Sequence, residues 1–150
     1  MLTTLVRSAS LALSGIIAGL YVRDNISYAG VKRLPGPHYA RYHQELDRDF
    51  AKAMPFVGGM SLLASLATVA VPQPGRRRAL SAVALGCGLT EVALTLAWGV
   101  PLNKQVQTWS VEAPPAEWAA VRDRWMVVHR LRTGIGLIGL GCQIAATMRP

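Results

Sequence analysis

The chain has 150 residues, of which 51% are hydrophobic and only 16% charged, and its formal net charge is +8. That is the length of one domain, with too little charge for an ordinary soluble one. The charges also collect in the connections between long apolar runs, which is the pattern of a membrane protein. The basic excess suits anionic lipid head groups. No basic-aromatic motif accompanies it, so a lipid bilayer and not nucleic acid is the expected partner. Cys87 and Cys142 sit inside apolar runs without the spacing of a disulfide framework or a zinc site. Both are expected to be free thiols, packed at similar depth like small hydrophobes.

Residues 2–22 form the first apolar run, about 30 Å long as a helix and enough to span. Arg7, the apolar core and Ser27-Tyr28-Ala29 imitate a secretory signal, but Arg23-Asp24-Asn25 intervenes and further spans follow. Lys32 to Pro37 reads as a turn. Beyond it Tyr39, Tyr42, Leu46, Phe50 and Met54 recur at helical spacing, which predicts a short amphipathic helix over 38–52 at the interface. The second span is 53–71, with Pro55 in its first turn. A tight connection with Arg76, Arg77 and Arg78 leads to the third span, 79–100. That helix is expected to break at Pro101 and to pass through Asn103 into a polar loop. Pro114-Pro115 opens the last helix, whose apolar part is the fourth span, 127–148. The expected fold is all-α, an integral membrane four-helix up-down bundle with the short interfacial helix between spans 1 and 2. Residues 1–150 form a single transmembrane domain, with both long connections on the face opposite the arginine turn. A bacterial inner membrane is the expected location.

Polar groups inside such a chain mark its chemistry. Glu91 lies near the middle of an apolar run, so its carboxyl faces the bundle interior, pairs or stays protonated. It shares a helical stripe with Cys87, Thr95 and Trp98. Its structural reading is a neutral packing device; its functional reading is a buried acid or base. Trp125, His129 and Arg132 share one face of the last helix where the chain enters the membrane. Glu91 is roughly 13 Å below that entry surface, which a long inward guanidinium partly closes. Arg132 is therefore its expected partner, with phosphate snorkelling as the plain alternative. His129 suits proton transfer near neutral pH or interfacial hydrogen bonding. Trp98, Trp109, Trp118 and Trp125 fit an interfacial aromatic belt, and a flat aromatic ligand uses the same surfaces. Tyr21, Asp24, Asn25 and Tyr28 lie at the matching end of the first helix and complete the wall.

The order of these motifs resembles the small four-helix membrane proteins related to anthrone oxygenases. That family carries Asn-Val-Pro-Leu-Asn after the third helix, then a spaced Trp, then Arg-x-Trp-x-x-(Asn/His)-x-x-Arg-Thr. The matching residues are Gly99-Val100-Pro101-Leu102-Asn103, Trp109, Trp118, Arg122, Arg124-Trp125, His129 and Arg132-Thr133. Tyr42-His43-Gln44 and Met54-Pro55 match more loosely, and Gly99 and His129 depart from the usual Asn. The resemblance implies a cofactor-free oxidation of an anthrone-like ring carbon by O₂. Glu91 or His129 would be the base, and Arg132 and Asn103 would hold the oxyanion. The walls would come from Trp98, Trp109 and Trp125, with Arg124, Tyr21, Asn25, His43 and Gln44 as further substrate contacts. Two alternatives stand beside this. One is a non-catalytic membrane subunit or scaffold, open to homo-oligomer formation; the other is an oxidoreductase binding haem or a metal through His129, His43 and His38.

Overall fold

The computed structural model describes residues 2–148, and all regular structure in them is helical. The elements are α1 (Leu2–Val31), α2 (Gly36–Ala70), α3 (Gly75–Leu94), a π-helical turn (Thr95–Gly99), α4 (Val100–Gln107) and α5 (Trp118–Thr147). Pro35 holds an extended backbone before α2, and Val71 does so after it. Proline cannot continue a preceding helix, so the Pro-rich connections set these boundaries.

Two sequence expectations change here. The amphipathic segment 38–52 is not a separate helix; it is the first half of α2, which runs unbroken for 35 residues. One uninterrupted helix keeps Tyr39 and His43 in phase with Ser61 and Ser65, because His43 and Ser61 are about five turns apart. All four are buried. Pro55 therefore sits inside α2, where its missing N–H leaves the Ala51 carbonyl without a helical partner. The second change is at Pro101. Instead of breaking, the helix widens: the Val100 N–H bonds the Thr95 carbonyl across the π turn, and α4 continues to Gln107. The wider turn makes room for a ring that clashes with an ordinary α-helical turn.

The long helices pack antiparallel in a closed ring of α1, α2, α3 and α5. Ser10 meets Ser65 at 3.2 Å between α1 and α2, and Asn25 donates to Thr133 at 2.8 Å between α1 and α5. Between α3 and α5, Cys87 lies on Gly139, where an added Cβ would stand 3.0 Å from the Cys87 Cβ. The absence of a side chain is what lets these two helices approach. Cys142, three residues on from Gly139, is a free thiol like Cys87.

α1, α2 and the α3-to-α4 helix are each long and apolar enough to cross a membrane. α5 has the length, but Arg122, Asp123, Arg124, Arg130 and Arg132 charge its first half. Outward surfaces expose Leu63, Leu66, Val83, Leu89, Leu137 and Ile138, as helices in contact with lipid do. The most tightly packed cluster is at the end bearing the long connections. There Tyr39, Ala40, Val106, Trp109 and Val121 bury one another. Gln44 secures it by donating to the Val106 carbonyl at 2.9 Å and the Trp109 carbonyl at 3.0 Å. Trp109→Ala should accordingly destabilise the protein by about 3–5 kcal/mol, seen as a lowered midpoint of unfolding in detergent.

A polar cavity under the long connections

A cavity of about 510 Å³ opens between the four long helices, on the same half of the bundle as that cluster. The sequence pattern places its polar lining in layers. α5 enters with Arg122, Trp125, His129 and Arg132 at helical spacing, and α1 meets it with Tyr21, Asp24 and Tyr28. α2 brings Tyr39, His43 and Asp47, while α3, the π turn and α4 supply Glu91, Thr95 and Asn103 in that order. Glu91 and Arg132 both face this space and not lipid.

At its centre is His129, 1% exposed. Its ring stacks on Trp125 at 4.9 Å with an interplanar angle of 7°, and Tyr21 meets it edge-on at 5.3 Å. Arg132 donates from Nη2 to His129 Nδ1 at 3.0 Å and from Nη1 to Thr95 Oγ1 at 2.8 Å. Its guanidinium also lies 5.0 Å over the Tyr21 ring. Guanidinium donates only, so His129 Nδ1 is an acceptor and Nε2 carries the hydrogen, 3.2 Å from the Tyr21 carbonyl. With its one free lone pair on Arg132, His129 orients the guanidinium.

Above this layer Asn103 organises a second one. Its Oδ1 accepts from Trp125 Nε1 at 2.7 Å and from His43 Nε2 at 3.2 Å. Its amide nitrogen donates to Asp47, whose other oxygen accepts from Gln107 at 3.0 Å. The Tyr39 hydroxyl stands 3.3 Å from His43 Nδ1, so both ring nitrogens of His43 are also engaged. Trp125 lies against both imidazoles, and His38 is exposed. The three histidines thus do not converge, and the described residues contain no cluster of His, Cys, Asp and Glu arranged for a metal.

Three polar atoms around the lower layer are left over. Asp24 Oδ1, Glu91 Oε1 and Arg132 Nε are all buried without a hydrogen-bond partner. Arg132 ends one turn above Glu91, held by the Thr95 hydroxyl that itself donates to the Glu91 carbonyl at 2.8 Å. The closest charged pairs in the structure do not include Glu91 with Arg132. A carboxyl and a guanidinium therefore border one cavity without neutralising each other at contact.

Of the residues expected at the site, Glu91, His129, Arg132, Asn103, Trp125, Tyr21 and His43 line the cavity. Trp98 does not: it is 55% exposed on the outside of the bundle. A π turn rotates less per residue than an α turn, so Trp98 falls behind the stripe that Cys87, Glu91 and Thr95 define. Trp109 and Gln44 belong to the packed cluster beside the cavity. Asn25 serves the α1–α5 contact, and Arg124 is exposed. The sequence reading missed Asp47, which looked like one more charge on the polar face of an amphipathic helix. Its spacing of four from His43 was the available signal.

Arg122 closes the mouth from the side. It is 6% exposed and donates to Asp123 at 2.9 Å and to the Lys32 carbonyl at 3.1 Å, beneath the Trp118 ring. The Tyr28 hydroxyl donates to the same Asp123 oxygen at 2.6 Å. The Tyr28 hydrogen bond first, and Arg122 second, hold the Asp123 carboxyl below the usual carboxylate range. A lowered folded-state value stabilises the fold above the ordinary Asp range, and that contribution is lost as pH falls through the folded value. Asp123→Asn should therefore lower the unfolding midpoint at neutral pH and converge with wild type in strong acid, by thermal unfolding across pH.

The sequence model of a family described as anthrone oxygenase matches residues 46–142, which include α3, α4 and the charged half of α5. No curated protein and no solved structure matches the chain.

Proposed function

The chain belongs to the anthrone oxygenase family, and on that premise we propose a membrane-embedded, cofactor-free oxygenase that uses O₂ on a small hydrophobic aromatic substrate of the anthrone type. The observation that carries this reading is the unneutralised pair of Glu91 and Arg132 on one cavity of about 510 Å³. Small-molecule sites commonly occupy roughly 300–1,000 Å³, largely apolar with a few convergent polar groups. A scaffold would fill its polar face with its own side chains; here the space stands open. The engaged nitrogens of His43 and His129 weigh against haem or metal ligation through them.

The chemistry follows from where the groups sit. Glu91 takes a proton from the ring methylene, and the electron pair it leaves spreads into the ketone as an enolate. Arg132, fixed by His129 and Thr95, offers its cation to the enolate oxygen. The enolate gives one electron to O₂, and the substrate radical and superoxide combine as a peroxide on the carbon. The peroxide takes up a proton. Loss of the second C–H proton then breaks the O–O bond, leaving a new carbonyl and hydroxide, which is protonated to water. One O₂ is consumed, one of its oxygens enters the quinone and the other leaves as water. Trp125 and Tyr21 flank the ring, and Asn103 braces Trp125. We assign α5 as the fourth span, with its arginines at the cavity or at the head groups.

The test is direct. Protein purified in nanodiscs and supplied with an anthrone should consume O₂ in equal amount to the quinone formed. With ¹⁸O₂, mass spectrometry should find a single labelled oxygen in the product. Unlabelled quinone, or formation at the rate of the protein-free control, would falsify the reading.

A further inference from the structure

Glu91 borders a second space. Next to the substrate cavity, with Ser61, Leu62 and Gly88 as shared walls, lies a void of about 30 Å³ lined by Ser14, Ser65 and Gln143 among others. Gln143 is 7% exposed. Its amide nitrogen donates to Ser14 at 3.0 Å and to Ser65 at 3.3 Å, which turns its carbonyl oxygen free. That oxygen and Glu91 Oε1 are both buried with no hydrogen-bond partner. Two oxygens that face one void and reach no protein partner, each other included, are satisfied by a small group placed between them.

Water is a group of the right size. A polar void needs about 10–15 Å³ to hold one molecule, and two to four polar partners. The hydroxyls of Ser14 and Ser61, 3.4 Å apart, supply the remaining partners. Space for the carboxyl itself comes from Gly136, where an added Cβ would collide with Glu91 Oε1. From the void a run of hydroxyls leads away from the substrate: Ser65 to Ser10 at 3.2 Å, near Thr68.

We infer that this void is a water site, and that Glu91 exchanges protons through it between the substrate cavity and the hydroxyl seam of α1 and α2. The water accepts each proton that Glu91 takes from carbon and gives one back when the peroxide and then the hydroxide are protonated. A turnover thus leaves no net proton behind and the carboxylate is ready for the next substrate, with the seam as the reservoir. The other titratable group lining the void is Cys87; Arg132 and Tyr21 face the carboxyl from the substrate side alone. The water site stands on geometry, whereas its use in turnover rests on the proposed role of Glu91 as base.

Infrared spectroscopy of the protein in nanodiscs tests this. The carbonyl stretch of protonated Glu91, identified by its loss in Glu91→Gln, should exchange rapidly on transfer to D₂O. Gln143→Leu should shift that band to higher wavenumber and slow its exchange by an order of magnitude or more. Ser14→Ala, a milder change for folding, should move both in the same direction. A band that neither shifts nor slows in the two variants overturns the inference, because the void is then dry. A band that moves when sodium is replaced by choline overturns it as well, since the void then holds a cation. Full oxygenase activity in Glu91→Gln would instead sink the catalytic assignment and leave the water site intact.

Discussion

Arg132→Leu is expected to lower turnover of an anthrone by about 10²–10³-fold, the usual loss when a preorganised oxyanion partner is removed. The guanidinium is fixed from three sides, by His129, Thr95 and the Tyr21 face, before any substrate arrives. Its cost of reorganisation at the moment of reaction is therefore small. Leucine keeps part of the apolar stem against the helix and removes the cation together with its hydrogen bonds to His129 and Thr95. Arg132→Lys should recover part of the loss, since an ammonium supplies charge but not the fork that reaches His129 and Thr95 together. Turnover measured with an oxygen electrode, alongside helical content and elution volume in detergent, separates the outcomes. Loss of insertion in the leucine variant would make Arg132 a structural anchor.

Glu91→Gln should cost about 10²–10⁴-fold in turnover, the range for a positioned general base, and should leave the fold at least as stable. The amide has the shape of the carboxyl it replaces, yet cannot take a proton from carbon. In wild type one carboxyl oxygen is buried without a protein partner, so the neutral amide relieves a group that burial disfavours. Activity and stability moving in opposite directions is the signature to look for, in turnover and unfolding midpoint of the same preparation. A fall in both would mark Glu91 as a packing device.

Much of this was legible in the chain because lipid makes polar residues conspicuous. Glu91 and Arg132 stood out for being costly where they are, and helical spacing alone put Trp125, His129 and Arg132 on one face. What spacing left open was which lone pair each group uses. Only the hydrogen bonds reveal that His129 braces Arg132. Surface phase was harder still. Trp109 and Gln44 look like site residues when their motif is read as a string, but Trp109 folds back onto α2, where Gln44 donates to its carbonyl. Asp47 was hidden by its neighbours Glu45, Arg48 and Asp49, which belong to an ordinary solvated face. The continuity of α2 and of the helix through Pro101 was obscured for one reason: proline argues for a break unless the surrounding bundle holds the helix together on both sides.

The widened turn at Thr95–Gly99 also decides how the family should be counted. Glu91 and Asn103 are twelve positions apart, and twelve residues of straight α-helix rotate through three turns and about a third of another. Ideal geometry would put them on different sides of the helix, yet both line one cavity. Eleven residues would return to within about 20° of the starting direction, and a π turn absorbs the one residue of difference. A relative with an unbroken α-helix here must therefore be one residue shorter between its acid and its amide. In an alignment such a chain shows a single gap between Glu91 and Asn103, and that gap marks conserved geometry, not a lost residue.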